Sequence, residues 1–215
     1  MIALSNGNYQ GTHERILKSG LAAFLEEGFE KANLRRICKA AGVTTGAFYK
    51  HFEDKEALFT ELVEPLASMI REAYAQGEER GFAGYDEGRP VTPEQVRFAL
   101  ETKAAGTLAT TTMLYSHRDI YELLVFRSYG TPYEHFLDWL VDEEDRTTLR
   151  ALELIHGAER AQTVISKESL HIVNHAFYGA LSENIVHAKN VEELQATTEV
   201  ISTFFNSGWE KYRTP

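Results

Sequence analysis

An all-α fold follows from three features of this 215-residue sequence. Apolar residues recur at helical spacing along most of its length, and capping residues stand in front of those stripes. No stretch alternates strictly in β-branched residues, and no glycine-rich strand-to-helix turn marks a nucleotide fold. The pattern predicts a three-helix N-terminal domain, residues 1–54, and a long fourth helix that opens a second helical domain, residues 55–215.

Each element has its own signal. From Thr12, the residues Ile16, Leu17, Leu21, Phe24 and Leu25 define the apolar face of a first helix. Gly28 stands where such a helix enters a left-handed residue, with Phe29 placed to pack back on Phe24. Asn33 caps a second helix, 34–41, whose inward residues are Leu34, Ile37 and Ala41. Gly42 ends it, Thr44 caps a third helix over 45–51, and Asp54 caps the fourth. That helix carries Leu58, Phe59, Leu62, Leu66, Met69, Ile70 and Ala73 on one side. Pro65 falls inside it, and the missing N–H predicts a kink or a break at 61–65.

Beyond residue 76, "QGEERGFAGYDEGRP" predicts a loop. Thr92-Pro93-Glu94-Gln95 then restarts a helix with a cap, an N1 proline and a capping-box glutamine. Ser116 with Asp119, Thr131 with Glu134, and Asn190 with Glu193 predict further helix starts of the same kind. The last two long helices are expected near 166–189 and 191–212.

Composition restricts function as well as fold. A single cysteine, Cys38, excludes an intramolecular disulfide, and the first residues lack the basic start and apolar core of a leader. No run reaches the roughly 18 apolar residues of a membrane span, so a cytoplasmic, membrane-free setting is expected. The net charge of −10 is unevenly placed. Residues 1–60 hold 8 basic and 7 acidic side chains, whereas the remainder is net −11. Screening confines each charge to about 8 Å at physiological salt, so the N-terminal segment can meet phosphates despite the acidic body.

The stretch "AAGVTTGAFYKHFEDKEALF", residues 40–59, joins two short helices through a glycine turn, the helix-turn-helix arrangement. Cys38 is small enough for the helices to cross closely, Gly42 tolerates positive φ, and Val43 and Phe48 face the core between them. Thr44, Thr45, Gly46 and Ala47 present small or polar groups at the start of the second helix, where base edges are read. Tyr49, Lys50 and His51 lie beside them, and Lys55 opens the next helix, whose first N–H groups favour a phosphate.

The run from Asn33 to Leu58 resembles the DNA-binding domain of the tetracycline-repressor (TetR) family of transcriptional regulators. The glycine turn, the Thr cap, Gly46, the Phe-Tyr pair, the basic-His pair, Phe52 and the Lys-Glu-x-Leu start of the fourth helix stand in that family's order and spacing. The resemblance implies that residues from Thr44 through Thr45, Gly46 and Tyr49 approach bases and phosphates in the major groove of double-stranded DNA. It implies that Lys50, His51 and Lys55 hold the backbone, and that Asn33 caps the second helix and touches phosphate. Arg36, where the family often carries an acid, adds positive charge beside Arg35. The implied protein is no enzyme and needs no cofactor. It is a homodimeric repressor on a pseudo-palindromic operator, released when a small-molecule effector binds the C-terminal domain.

The final two helices supply the expected dimer interface, with Leu170, Val173, Phe177, Leu181 and Ile185 on one and Leu194, Ile201, Phe204, Phe205 and Trp209 on the other. Phe98, Met113, Tyr115, Phe126, Tyr129 and Trp139 form an aromatic-rich supply for an effector pocket. His171, His175 and Tyr178 add polar groups on one helical face. A rival reading comes from Glu153-x-x-His156 and Glu168-x-x-His171, which have the spacing of carboxylate-histidine metal ligands, with His171 and His175 one turn apart. This would make a metal-binding bundle, either a metal-responsive regulator or a di-iron enzyme. The pairs fall at predicted helix ends, however, and no metal site is expected.

Overall fold

The computed structural model describes residues 2–82 and 90–213 and is all-α, with no strand among the described residues. Its helices are α1 (Ile2–Lys31), α2 (Leu34–Ala41), α3 (Thr45–Phe48), α4 (Lys55–Phe82), α5 (Pro93–Tyr115), α6 (Arg118–Phe126), α7 (Phe136–His156), α8 (Ala158–Val164), α9 (Lys167–His187) and α10 (Val191–Tyr212). They form two compact units. The first comprises residues 1–69 and 119–135, and the second residues 70–118 and 136–215.

The first unit is built on aromatic packing. Phe24, Phe48 and Phe59 are fully buried, and Ile16, Ile37, Leu58 and Val63 complete the core. Each such side chain contributes about 1.5–3 kcal/mol when removed from water. Gly28 has φ 75°, which turns the chain so that Phe29 packs on Phe24, with ring centres 5.8 Å apart, and on Phe59. The Phe29 N–H then donates to the Arg127 carbonyl at 2.9 Å. At Gly20 a Cβ would lie 2.8 Å from Leu58 Cδ2, so α1 and α4 approach too closely there for any side chain.

Pro65 neither breaks α4 nor ends it. Val63, Leu66 and Ala67 around it are all buried, and their burial outweighs the loss of about 3 kcal/mol that an interior proline imposes. The same helix persists past residue 76 to Phe82. Long-range partners hold that end, because Glu78 accepts from Arg146 and Arg150, and the Arg150 guanidinium lies 4.2 Å from the Phe82 ring centre. The rest of the expected loop, 83–89, lies outside the described residues. The third helix is shorter than expected, since Phe52 must return to the core and the chain closes in turns after Phe48.

In the second unit, α10 runs along α5, and α9 packs against both α7 and α10. Val91, Val96, Leu100, Leu170 and Trp209 form one buried cluster. Capping acts as expected at Thr92, where a complete capping box forms, and at Asn190, which accepts from the Glu193 N–H at 2.8 Å. After the two other expected starts a helix does follow, beginning two residues past Ser116 at Arg118 and five past Thr131 at Phe136. Ser116 ends α5, donating its N–H to the Met113 carbonyl, and Thr131 shapes a turn in which its hydroxyl donates to the Ser128 carbonyl. The Thr131 hydroxyl also accepts from the Tyr133 N–H at 3.1 Å, which fixes the turn.

Candidate nucleic-acid interface

The helix-turn-helix is fixed by three local devices. Asn33 Oδ1 accepts from the Arg35 and Arg36 N–H groups at 2.9 and 3.3 Å, opening α2. Gly42, at φ 69° and ψ 34°, closes α2 in the left-handed conformation. Thr44 Oγ1 accepts from the Ala47 N–H at 3.1 Å and starts α3. Cys38 and Phe48 are buried between these helices and Val43 partly so, while Thr44, Thr45, Gly46, Tyr49 and Lys50 stay exposed. Burial raises the pKa of the Cys38 thiol, which fits an inert packing residue.

Asn33, Arg35, Thr45, Tyr49 and Lys55 are brought together around one open concavity of about 550 Å³, which Ala32 and Leu34 also line. Tyr49 is 58% exposed and stands edge-on to the Phe48 ring at 5.5 Å. The concavity therefore offers a phenol, a guanidinium, a hydroxyl and an amide side by side on a surface otherwise built for packing.

Three expected contributors are turned to other tasks. The Lys55 ammonium donates to the carbonyls of Phe29, Glu30 and Ala32 at 2.6, 3.2 and 3.1 Å, and it sits 4.3 Å from the Phe29 ring centre. Its three donors close the end of α1, and burial pulls its pKa down against the opposing charge of Glu30. Arg36 does not add free positive charge, because its guanidinium pairs with Glu27 and with Glu26. His51 turns inward, stacking on Tyr9 at 4.0 Å with His13 5.5 Å away. Burial, then His13 and Lys50, lower its pKa, so the imidazole is neutral at neutral pH.

Sequence reasoning missed the support from α1. The Tyr9 hydroxyl donates to the Lys50 carbonyl at 3.2 Å, and Arg15 Nε donates to the Ala41 carbonyl at 3.1 Å. The His13 ring stacks on Phe52 at 4.7 Å, and its Nε2 meets Glu61 at 2.5 Å. Each of these residues reads locally as ordinary helix surface, and only the tertiary partner reveals its use.

The expected effector residues are scattered. Phe98 is exposed on α5, Phe126 and Tyr129 are exposed in the first unit, and Met113 is half-buried on α5. The Tyr115 hydroxyl donates to the Ala188 carbonyl at 3.2 Å. Trp139 and Tyr178 do gather, around a group that the sequence did not single out. Glu144 is 5% exposed, and its carboxylate accepts from Tyr74 at 2.9 Å, Tyr178 at 3.2 Å, Thr148 at 3.0 Å and the Lys103 ammonium. Trp139 stands edge-on to Tyr74 at 6.1 Å. Burial alone would raise the Glu144 pKa, but Lys103 and the hydrogen bonds hold it below the usual carboxylate range. Burial and the Glu144 charge push both tyrosine hydroxyls well up, so they remain donors. One signal was available, since Glu144 lies three and four residues after the buried Val141 and Leu140.

The Glu/His pairs are engaged separately. His156 Nε2 meets the Tyr212 carbonyl at 2.8 Å, while His171 Nδ1 meets Asp145 at 2.9 Å. Among the described residues, Asp142, Asp145 and His171 place donor atoms within 4.8 Å of one another, but Asp142 and His171 are exposed. His175 is exposed one turn from His171, with ring centres 6.2 Å apart.

An all-helical chain with a capped helix-turn-helix at its N-terminal end defines a class of regulatory proteins, and comparison with known proteins narrows the class. Residues 16–62 match the family described as bacterial regulatory proteins, tetR family. The chain is 46% identical over 63 residues to the HTH-type transcriptional regulator AcrR of Shigella flexneri, covering 29% of each chain. It is 34% identical over 76 residues to the HTH-type transcriptional repressor AcnR of Corynebacterium diphtheriae, covering 35% of this chain and 40% of that one. The matched stretch thus spans less than half of these relatives. Two solved structures share the fold across nearly the whole chain. The fatty acid degradation regulator FadR of Bacillus halodurans has a TM-score of 0.52 at 15% identity, covering 92% of this chain and 95% of that one. NalD of Pseudomonas aeruginosa, the secondary repressor of the MexAB-OprM multidrug efflux pump, has a TM-score of 0.52 at 19% identity, covering 94% and 97%. The likeness to the tetR family of bacterial regulatory proteins lies in this N-terminal stretch, residues 16–62. No helix among the described residues is long and apolar enough to cross a membrane.

Proposed function

We propose that this protein is a cytoplasmic, homodimeric transcriptional repressor that binds a pseudo-palindromic DNA operator through residues 1–54 and leaves it when a small molecule binds the helical remainder, residues 55–215. The observation that carries the reading is the capped helix-turn-helix with Asn33, Arg35, Thr45 and Tyr49 around one concavity, within the stretch matched to the tetR family. Thr44, Thr45, Gly46 and Tyr49 approach the bases, and Arg35 and Lys50 neutralise phosphates. Lys55 contributes through the backbone N–H groups that begin α4, its ammonium being committed elsewhere.

Dimerisation is assigned to α9 and α10, and of the apolar residues that the sequence suggests Phe204 is the exposed one. Leu170, Phe177, Leu181, Ile185, Leu194 and Trp209 are buried within their own subunit. What remains outward is Ile172 on α9 with Val200 and the 75% exposed Phe204 on α10, an apolar face suited to a second copy. Two such subunits present their recognition helices about 34 Å apart, one DNA turn. Release requires an effector that prefers a conformation with the wrong spacing, and α4, which runs through both units, is the lever.

The test is selection of genomic fragments by the purified protein at fixed physiological salt, followed by footprinting. A protected pseudo-palindrome supports the reading, and folded dimer that protects no sequence rejects it.

A further inference from the structure

Resting on the effector-release reading above, we propose that Glu144 is the anchor for an organic cation, and that Lys103 holds the place of that cation until the effector arrives. The Glu144 carboxylate takes donors from four helices, namely Tyr74 of α4, Lys103 of α5, Thr148 of α7 and Tyr178 of α9. Breaking such a network is costly, whereas a packed apolar replacement costs little or nothing, so a buried ion pair is weak evidence of a stabilising role. Ionisable groups with perturbed pKa values inside a fold mark candidate functional sites.

The two partners differ in what they can do. The Lys103 side chain is 25% exposed and that of Glu144 only 7%. Lys103 has a flexible four-carbon stem and can carry its ammonium out to water. Glu144, held by three hydroxyl donors, cannot follow. Withdrawal of Lys103 therefore uncovers a carboxylate among aromatic faces. The ammonium lies 5.6 Å from the Phe177 ring centre, the Tyr74 and Tyr178 hydroxyls meet the same carboxylate, and Trp139 stands against the Tyr74 ring. Aromatic faces with one carboxylate are the chemistry that holds ammonium ligands. An anion would have to displace Glu144 itself, which has the more saturated partners and the less mobile side chain. Exchange of Lys103 for a diffusible cation also cuts the ionic tie between α5 and α7, which gives the ligand a differential effect on conformation.

The experiment uses the full chain and two probes of similar size, benzyltrimethylammonium and benzylsulfonate, with affinity measured by calorimetry and tryptophan fluorescence. The cation is expected to bind the native protein and the anion at least tenfold more weakly. Glu144→Gln, which retains shape and removes the anchoring charge while the flexible Lys103 stem can turn its ammonium to water, should weaken the cation at least tenfold. Lys103→Met should tighten it. If that variant does not fold, the comparison of the two probes on the native chain and on Glu144→Gln decides. Absence of cation binding, equal binding of the anion, or an affinity indifferent to Glu144→Gln overturns the proposal. Operator affinity measured on the same samples separates the two readings, because a cation that binds through Glu144 without releasing DNA confirms the site and rejects the release mechanism.

Discussion

Lys55 in the first unit and Lys103 in the second are both lysines drawn off the surface, and the fold handles them in opposite ways. The Lys55 ammonium meets three backbone carbonyls in the segment after Gly28 and one aromatic face, with the Glu30 charge acting on it. Lys103 meets a buried carboxylate that is itself shared by three hydroxyls. Carbonyls that end a helix need donors wherever the helix is placed. A lone carboxylate in a helical core needs nothing until the chain puts it there. The first lysine is thus explained by the fold alone, and the second asks for a further reason.

The sharpest way to break this contrast is at Lys103. Replacement by Met leaves Glu144 without its ion-pair partner, with three hydroxyl donors and the charge of Arg213 as partial compensation, and is expected to cost about 3–5 kcal/mol of unfolding free energy, while Lys103→Met with Glu144→Leu should recover most of it. Denaturant titration of the two variants measures the difference, and a single variant as stable as the native chain would show that the pair is not coupled. Lys55→Met comes next, at about 2–3 kcal/mol, since charge-assisted hydrogen bonds contribute that much where they cannot be replaced by water. Its DNA affinity at a temperature where it is folded should keep the native salt dependence. Lys50→Ala should do the reverse, leaving stability within about 0.5 kcal/mol and reducing the salt slope of operator binding by about 1. An altered slope for Lys55→Met, with an unaltered one for Lys50→Ala, would exchange their roles.

The smallest effect is expected at Glu78. Hydrogen bonds from Arg146, and less so from Arg150, hold its carboxyl below the usual range against the opposing effect of burial. A carboxylate with a depressed folded pKa stabilises fully above its unfolded value of about 4.3 and loses that contribution as pH falls through the folded value. Glu78→Gln should therefore lower stability at neutral pH by no more than about 1 kcal/mol. The difference from the native chain should shrink below pH 4, and thermal melts across that range measure it.

What could be read from the chain divides along the same line. The caps at Asn33, Thr44, Thr92 and Asn190 were legible because each acts on N–H groups two or three residues away. The positive-φ turns at Gly28 and Gly42 were legible for the same reason. Arg36 and Lys55 were not, since their partners lie 9 to 26 residues off on α1 and the segment after it. Pro65 does not break α4, because its intrinsic cost is local, whereas the buried neighbours that offset it report on the assembled core. Glu144 was hidden in the run "DEEDR", five consecutive charges of which it alone is buried, and only its register with Leu140 and Val141 sets it apart.

The grip of α1 on the helix-turn-helix has a bearing on how operator preference can be transplanted. Tyr9 and Arg15 hold the chain at the Lys50 and Ala41 carbonyls, just past α3 and at the end of α2. A graft limited to residues 33–51 would carry the base-reading side chains and these two acceptor carbonyls into a new host but leave their donors, Tyr9 and Arg15, behind. The exchangeable module begins at α1, so a chimera that swaps specificity while keeping its own first helix inherits the letters without the spine that holds them in line.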